Sequence, residues 1–145
     1  MAFVANDMLE TIRARADRNS FWIYLGVQVD AAGEGWIRMS LPLREELRNG
    51  PNAPIHGGVY ASLIDMAVGG ALATTLPLSE GGTGQATLDL NVSFLTTATG
   101  HTVYADAKML RRGRSIFFGE ASVTDSDGNL VAVGRATYMI LPPKA

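Results

Sequence analysis

Between His56 and Leu76 the chain runs HGGVYASLIDMAVGGALATTL, about twenty residues with a single charge, Asp65. A helix apolar on nearly all sides has no face to offer water and must be enclosed. A carboxylate inside such an element is costly unless something pairs with it or it has work to do. Gly57 and Gly58 open the run and leave bare main-chain N–H groups where the helix should begin. Any fold for this chain therefore wraps something around this helix, and any chemistry starts from Asp65 and the glycines.

The run is also long enough to cross a bilayer. Four glycines, the central Asp65 and flanks without a basic bias argue instead for a helix wrapped by sheet. The N-terminus, MAFVANDMLETIRARADRN, mixes charges and has no apolar signal core. With 145 residues the chain has the length of one domain, read here as 1–145 with residues 1–20 as an appended N-terminal helix. A net charge of −2 draws in neither nucleic acid nor an anionic membrane. The absence of cysteine removes disulfide and thiolate chemistry and fits a cytoplasmic location.

The remaining segments read mostly as strand. An amphipathic helix spans roughly Asp7 to Asp17, with Asn6 as its cap, and Phe21 to Leu25 forms an apolar hook without a period. Val27 to Asp30 and Trp36 to Pro42 flank a turn at 31–35, and Gly50, Pro51 and Pro54 mark a loop up to Ile55. The long helix stops at Pro77, and Gly81, Gly82 and Gly84 make the next turn. Ala86, Leu88, Leu90, Val92 and Phe94 then alternate with Thr87, Asp89, Asn91 and Ser93, which predicts a strand with one apolar and one polar face. Three more strands follow, His101 to Leu110, Ser115 to Asp125 and Leu130 to Leu141, separated by turn chemistry at Arg112-Gly113 and at 126–129. The reading is α+β: a long central helix wrapped by a curved antiparallel sheet of about five to six strands, plus a short N-terminal helix. Such a sheet leaves an edge, and with it a reason to self-associate.

Spacing adds a further constraint. Gly57 and Asp65 are eight residues apart, about 12 Å along a helix axis. That is too far for both to meet one reacting atom within a single chain. A two-fold dimer with its helices side by side would bring Gly57 of one copy near Asp65 of the other.

His56-Gly57-Gly58-Val59, the acid nine residues on, and the stretch from Ala86 to Leu95 resemble the hot-dog-fold acyl-CoA thioesterases of the PaaI-like group. Gly100, Gly113-Arg114 and the segment 127–132 fit the same pattern, and the similarity runs from Phe21 to the C-terminus. The resemblance implies hydrolysis of an acyl-CoA thioester to free acid and CoA. In that family the Gly57 N–H, aided by the helix dipole, would polarise the thioester carbonyl. Asp65 would act from the neighbouring subunit as nucleophile or general base. No cofactor or metal is implied, coenzyme A being part of the substrate, and the partner is a second copy of the chain, in a dimer or a dimer of dimers. A non-catalytic acyl-CoA or fatty-ligand binding module, and a carrier-protein thioesterase, are the alternatives.

Each candidate residue has two readings. His56 can orient the turn through hydrogen bonds or act directly, and Gly57 and Gly58 can simply permit a tight entry to the helix. Thr87 resembles a hydroxyl that contacts substrate or water in the family, and is also an ordinary strand residue. Arg111, Arg112 and Arg114 gather at a hairpin, where Arg112 and Arg114 are candidates for the phosphates of coenzyme A. Relatives place an asparagine six residues before the histidine and a glycine three before it; here those positions are Gly50 and Ala53, which leaves Asn49, Asn52 or neither of them to hold the substrate. His56 and His101 are too far apart in sequence for a metal motif, and no nucleophile-elbow, P-loop or Rossmann pattern occurs.

Overall fold

The computed structural model describes residues 5–76 and 84–142. Its elements run α1 (Ala5–Ala16), α2 (Ser20–Leu25), β1 (Gln28–Gly33), β2 (Trp36–Pro42), a 3-10 turn (Glu45–Leu47), α3 (Gly57–Ala73), β3 (Gln85–Phe94), β4 (Thr102–Arg112), β5 (Ile116–Asp125) and β6 (Leu130–Ile140). One six-stranded antiparallel sheet holds all the strands in the order β1-β2-β4-β5-β6-β3. Helix α3 packs across β2 to β6.

Strand alternation explains which face meets the helix. Along β5 Phe117, Gly119, Ala121, Val123 and Asp125 are buried while the residues between them are not. Val103, Ala105 and Ala107 do the same on β4. Two of the helix-facing positions are glycine for a visible reason. A Cβ on Gly119 would sit 2.6 Å from Cγ1 of Val68, and one on Gly134 would sit 3.0 Å from Cγ2 of Ile64. The sheet is bare where α3 presses closest. Leu63, Ile64, Val68 and Leu72 are fully buried as a result, each contributing about 1.5–3 kcal/mol of hydrophobic stabilisation. Register shifts at Val29/Ala31, Thr87/Asp89, Met109/Arg111 and Val123/Thr124 add local twist, and this curls the sheet about the helix.

Several sequence expectations shift. The apolar hook at Phe21 to Leu25 is helical: Asn19 caps it by accepting from the Trp22 N–H, and Gly26 ends it with φ 93°. Helix α1 is already running at Ala5, so Asn6 lies inside it rather than capping it. The first hairpin turn shrinks to Glu34-Gly35, since Gly33 pairs with Trp36. Helix α3 ends at Ala73, with Thr74 as its C-cap; Pro77, Gly81 and Gly82 lie outside the described residues. Strand β4 continues through Arg112.

The facing of β3 also differs. On β6, Tyr138, Ala136, Gly134 and Ala132 point to the helix, and they pair with Thr87, Leu90, Val92 and Phe94. The bulge at Leu88 reverses the parity of the strand. Thr87 therefore shares the helix-facing side with Leu90, Val92 and Phe94, and Ala86 lies on the opposite side with Asp89, Asn91 and Ser93. Strand β3 is an edge, and its apolar residues stay in the open: Leu88 is 55% exposed, Leu90 37% and Phe94 55%. Among the described residues no helix is long and apolar enough to cross a membrane.

Candidate active site

Helix α3 begins against a loop held by its own main chain. The His56 N–H donates to the Leu47 carbonyl, Asn49 N–H to Pro54, and Arg48 bridges Ile55. Asn52 occupies the left-handed region at φ 58° in the turn closed by Ala53 N–H and Gly50 O, so its place is explained by the turn. His56 then caps α3: its Nδ1 accepts from the Gly58 N–H at 2.8 Å. The Gly57 N–H finds no acceptor among the described residues. It lies at the positive end of the helix dipole, and glycine adds no side chain of its own beside it. The ring of Phe94 closes one side, 3.2 Å from where a Gly57 Cβ would be.

Asp65 sits two turns further on, half-buried. Its Oδ1 accepts from the Thr87 hydroxyl at 2.8 Å and lies within reach of the Tyr138 hydroxyl. The same phenol also reaches the main-chain carbonyl of Asp65. Burial, and then the hydrogen bond to Asp65, push the Tyr138 phenol well above its ordinary range, so it stays protonated and donates. Among the described residues nothing donates to Asp65 Oδ2.

The structure thus brings Asp65 to Thr87 and His56 to Gly58, and keeps Gly57 and Asp65 about 12 Å apart along one helix. Arg112 lies at the far end of α3, where its Nε donates to Thr75 Oγ1 at 3.1 Å. Arg114 is exposed in the β4–β5 turn, and Asn49 is exposed on the loop before α3. A groove of about 730 Å³ on the outer face of the sheet, between Trp36, Lys108, Glu120 and Arg135, lies across the sheet from Asp65. Sequence reading passed over Tyr138. Its signal was faint: one aromatic with a hydroxyl among the helix-facing positions of the last strand. Asp125 was also passed over. It is 3% exposed and takes hydrogen bonds from Thr99, Asp127 and Asn129, tying the β5–β6 turn to the loop before β4.

The family model for the thioesterase superfamily matches residues 54–132, from the loop before α3 into β6. The chain belongs to the thioesterase superfamily. That membership supports thioester hydrolysis in general terms, and the match spans His56, Gly57, Asp65 and Thr87. A candidate esterase of Halobacterium salinarum is 37% identical over 95% of each chain. The medium/long-chain acyl-CoA thioesterase YigI of Salmonella typhimurium is 31% identical over 59% of this chain and 62% of its own. The PaaI protein of Escherichia coli, from the phenylacetic acid degradation operon, superimposes with a TM-score of 0.85 over 98% of this chain and 99% of its own, at 17% identity. The fold of this superfamily member is the hot-dog fold.

Proposed function

We propose that this thioesterase-superfamily protein hydrolyses acyl-CoA to a carboxylic acid and CoA in a site that two copies share. The thioester carbonyl oxygen accepts from the Gly57 N–H of one copy, and the Asp65 carboxylate of the other works on the carbonyl carbon. As general base, Asp65 takes a proton from water while the oxygen attacks. The C–S bond then breaks, and the proton passes to the departing thiolate. As nucleophile, Asp65 attacks the carbonyl carbon and expels the CoA thiolate to form a mixed anhydride. Water then opens it to the free acid and the regenerated carboxylate, and the proton released passes to the thiolate. Either way charge develops on the carbonyl oxygen, where a fixed N–H donor is worth about 3–4 kcal/mol in measured cases.

The observation that carries this reading is a pair of unspent groups on one helix: among the described residues, an N-terminal N–H without an acceptor and a carboxylate held by one oxygen. They cannot meet in one chain, and the exposed apolar edge of β3 lies beside both, through Thr87 at Asp65 and Phe94 at Gly57. A second copy covering that edge would stand over Asp65. His56 supports the site as a helix cap, and Gly58, whose N–H it holds, keeps the entry tight. Arg112 lies about 15 Å along the axis from Asp65, a span for the pantetheine arm, with Arg112 and Arg114 meeting the phosphates. YigI's acyl-CoA activity favours coenzyme A as the thiol.

Thiol release from a panel of acyl-CoAs tests the reading. Asp65→Asn keeps the shape and the Oδ1 acceptor, so folding should survive while turnover falls at least about 10²-fold. Wild-type turnover in that variant, or tight acyl-CoA binding by the wild type without turnover, would overturn it.

A further inference from the structure

We propose that Tyr138 is a positioning residue, which with Thr87 pins one oxygen of Asp65 so that the other faces the thioester. The inference rests on the reading of Asp65 as catalytic. An aspartate on a helix has two free side-chain torsions, and a base that must meet water and carbonyl together gains from having them fixed beforehand. The structure supplies two hydroxyls from two strands. Tyr138 comes from β6 and Thr87 from β3, directly opposite each other in register, and both converge on Oδ1.

Three local features make that convergence possible. The bulge between Thr87 and Asp89 lets Thr87 face the helix while the outer side of β3 stays polar. Tyr138 is 5% exposed, so its hydroxyl cannot turn to solvent. Gly69, one turn beyond Asp65, leaves the space that the phenol and the Gln85 amide fill: a Cβ there would lie 2.8 Å from Gln85 Nε2, 2.9 Å from the Tyr138 hydroxyl and 3.2 Å from Cζ. The phenol has one proton, and the main-chain carbonyl of Asp65 is its second acceptor. The ring is therefore keyed to both the backbone and the side chain of that one residue. Oδ2 is left without a donor among the described residues, and that is the oxygen positioned to work on substrate.

Tyr138→Phe keeps the ring and removes the hydroxyl. The expected result is a fall in kcat of about 10-fold, as for loss of a hydrogen bond to a charged group, with KM for the same acyl-CoA within about twofold. In the Asp65→Asn background the same change should cost less than about twofold, because there is no carboxylate left to aim. Gly69→Ala, which crowds the hydroxyl while leaving Tyr138 in place, should reproduce the kcat loss at unchanged KM. An unchanged kcat in Tyr138→Phe, or an equal fractional loss in both backgrounds, would overturn the proposal while leaving Asp65 catalytic. Full turnover in Asp65→Asn alone would instead remove the reading on which it rests.

Discussion

Replacing His56 separates capping from catalysis. The imidazole Nδ1 accepts from the Gly58 N–H at 2.8 Å at an exposed helix start. Removing an N-cap acceptor costs about 0.5–2 kcal/mol, and here the freed N–H can turn to water, so His56→Ala should lose about 1 kcal/mol. For a domain of this size that is a drop in Tm of about 2–4 °C, read at fixed protein concentration because a dimer's melting depends on it. His56→Asn supplies a side-chain acceptor and should recover most of the loss. Turnover in both variants should stay within about threefold of wild type. His56→Asp should cap at least as well, gaining about 0.3–1 kcal/mol from the helix dipole. It should nonetheless turn over more slowly, because its charge stands next to the Gly57 N–H where the oxyanion would form. Thermal melts and thiol-release kinetics on the three variants decide the matter. A loss of 10²-fold or more in both Ala and Asn variants at unchanged Tm would refute the capping account and make the imidazole a participant.

Other outcomes follow from the same geometry. Burial pushes the Asp125 carboxyl up, but hydrogen bonds from Thr99 and Asn129 outweigh it and hold it well below the usual carboxylate range. A folded-state value below the unfolded one means stability that is present above about pH 4 and lost as pH falls further. The urea-midpoint gap between wild type and Asp125→Asn should accordingly be constant from pH 7 to about 5 and narrow below about 4. Gly134→Ala puts a methyl 2.7 Å from the Asn91 carbonyl oxygen and 3.0 Å from Ile64, and should cost about 1–3 kcal/mol in urea denaturation. Leu90→Glu places a charge on the open β3 edge, and sedimentation should show it shifted to monomer with turnover lost in parallel.

The long helix and its wrapping sheet were legible because their signals are local and long: one charge in about twenty residues, and strands of strict alternation. Asp65 stood out because its cost of burial is visible in one dimension. The face of β3 was not legible, because a bulge at Leu88 inverts the parity of every later side chain without altering the pattern of residue types. Tyr138 escaped notice for a related reason: its meaning lies in a contact with Asp65 across 73 positions and in the bare space at Gly69. Helix α2 was missed because its six residues are held by caps, Asn19 and Gly26, rather than by periodicity.

Mixed dimers test the shared site most directly. Asp65→Asn and Gly57→Val would each be inactive alone, the second because its side chain fills the carbonyl's approach. Co-expressed, with differently tagged chains purified as the heterodimer, they should regain about half of wild-type turnover, since one of the two sites then contains an intact Gly57 facing an intact Asp65. A heterodimer as inactive as its parents would mean that each site lies within one chain, contrary to the geometry argued here.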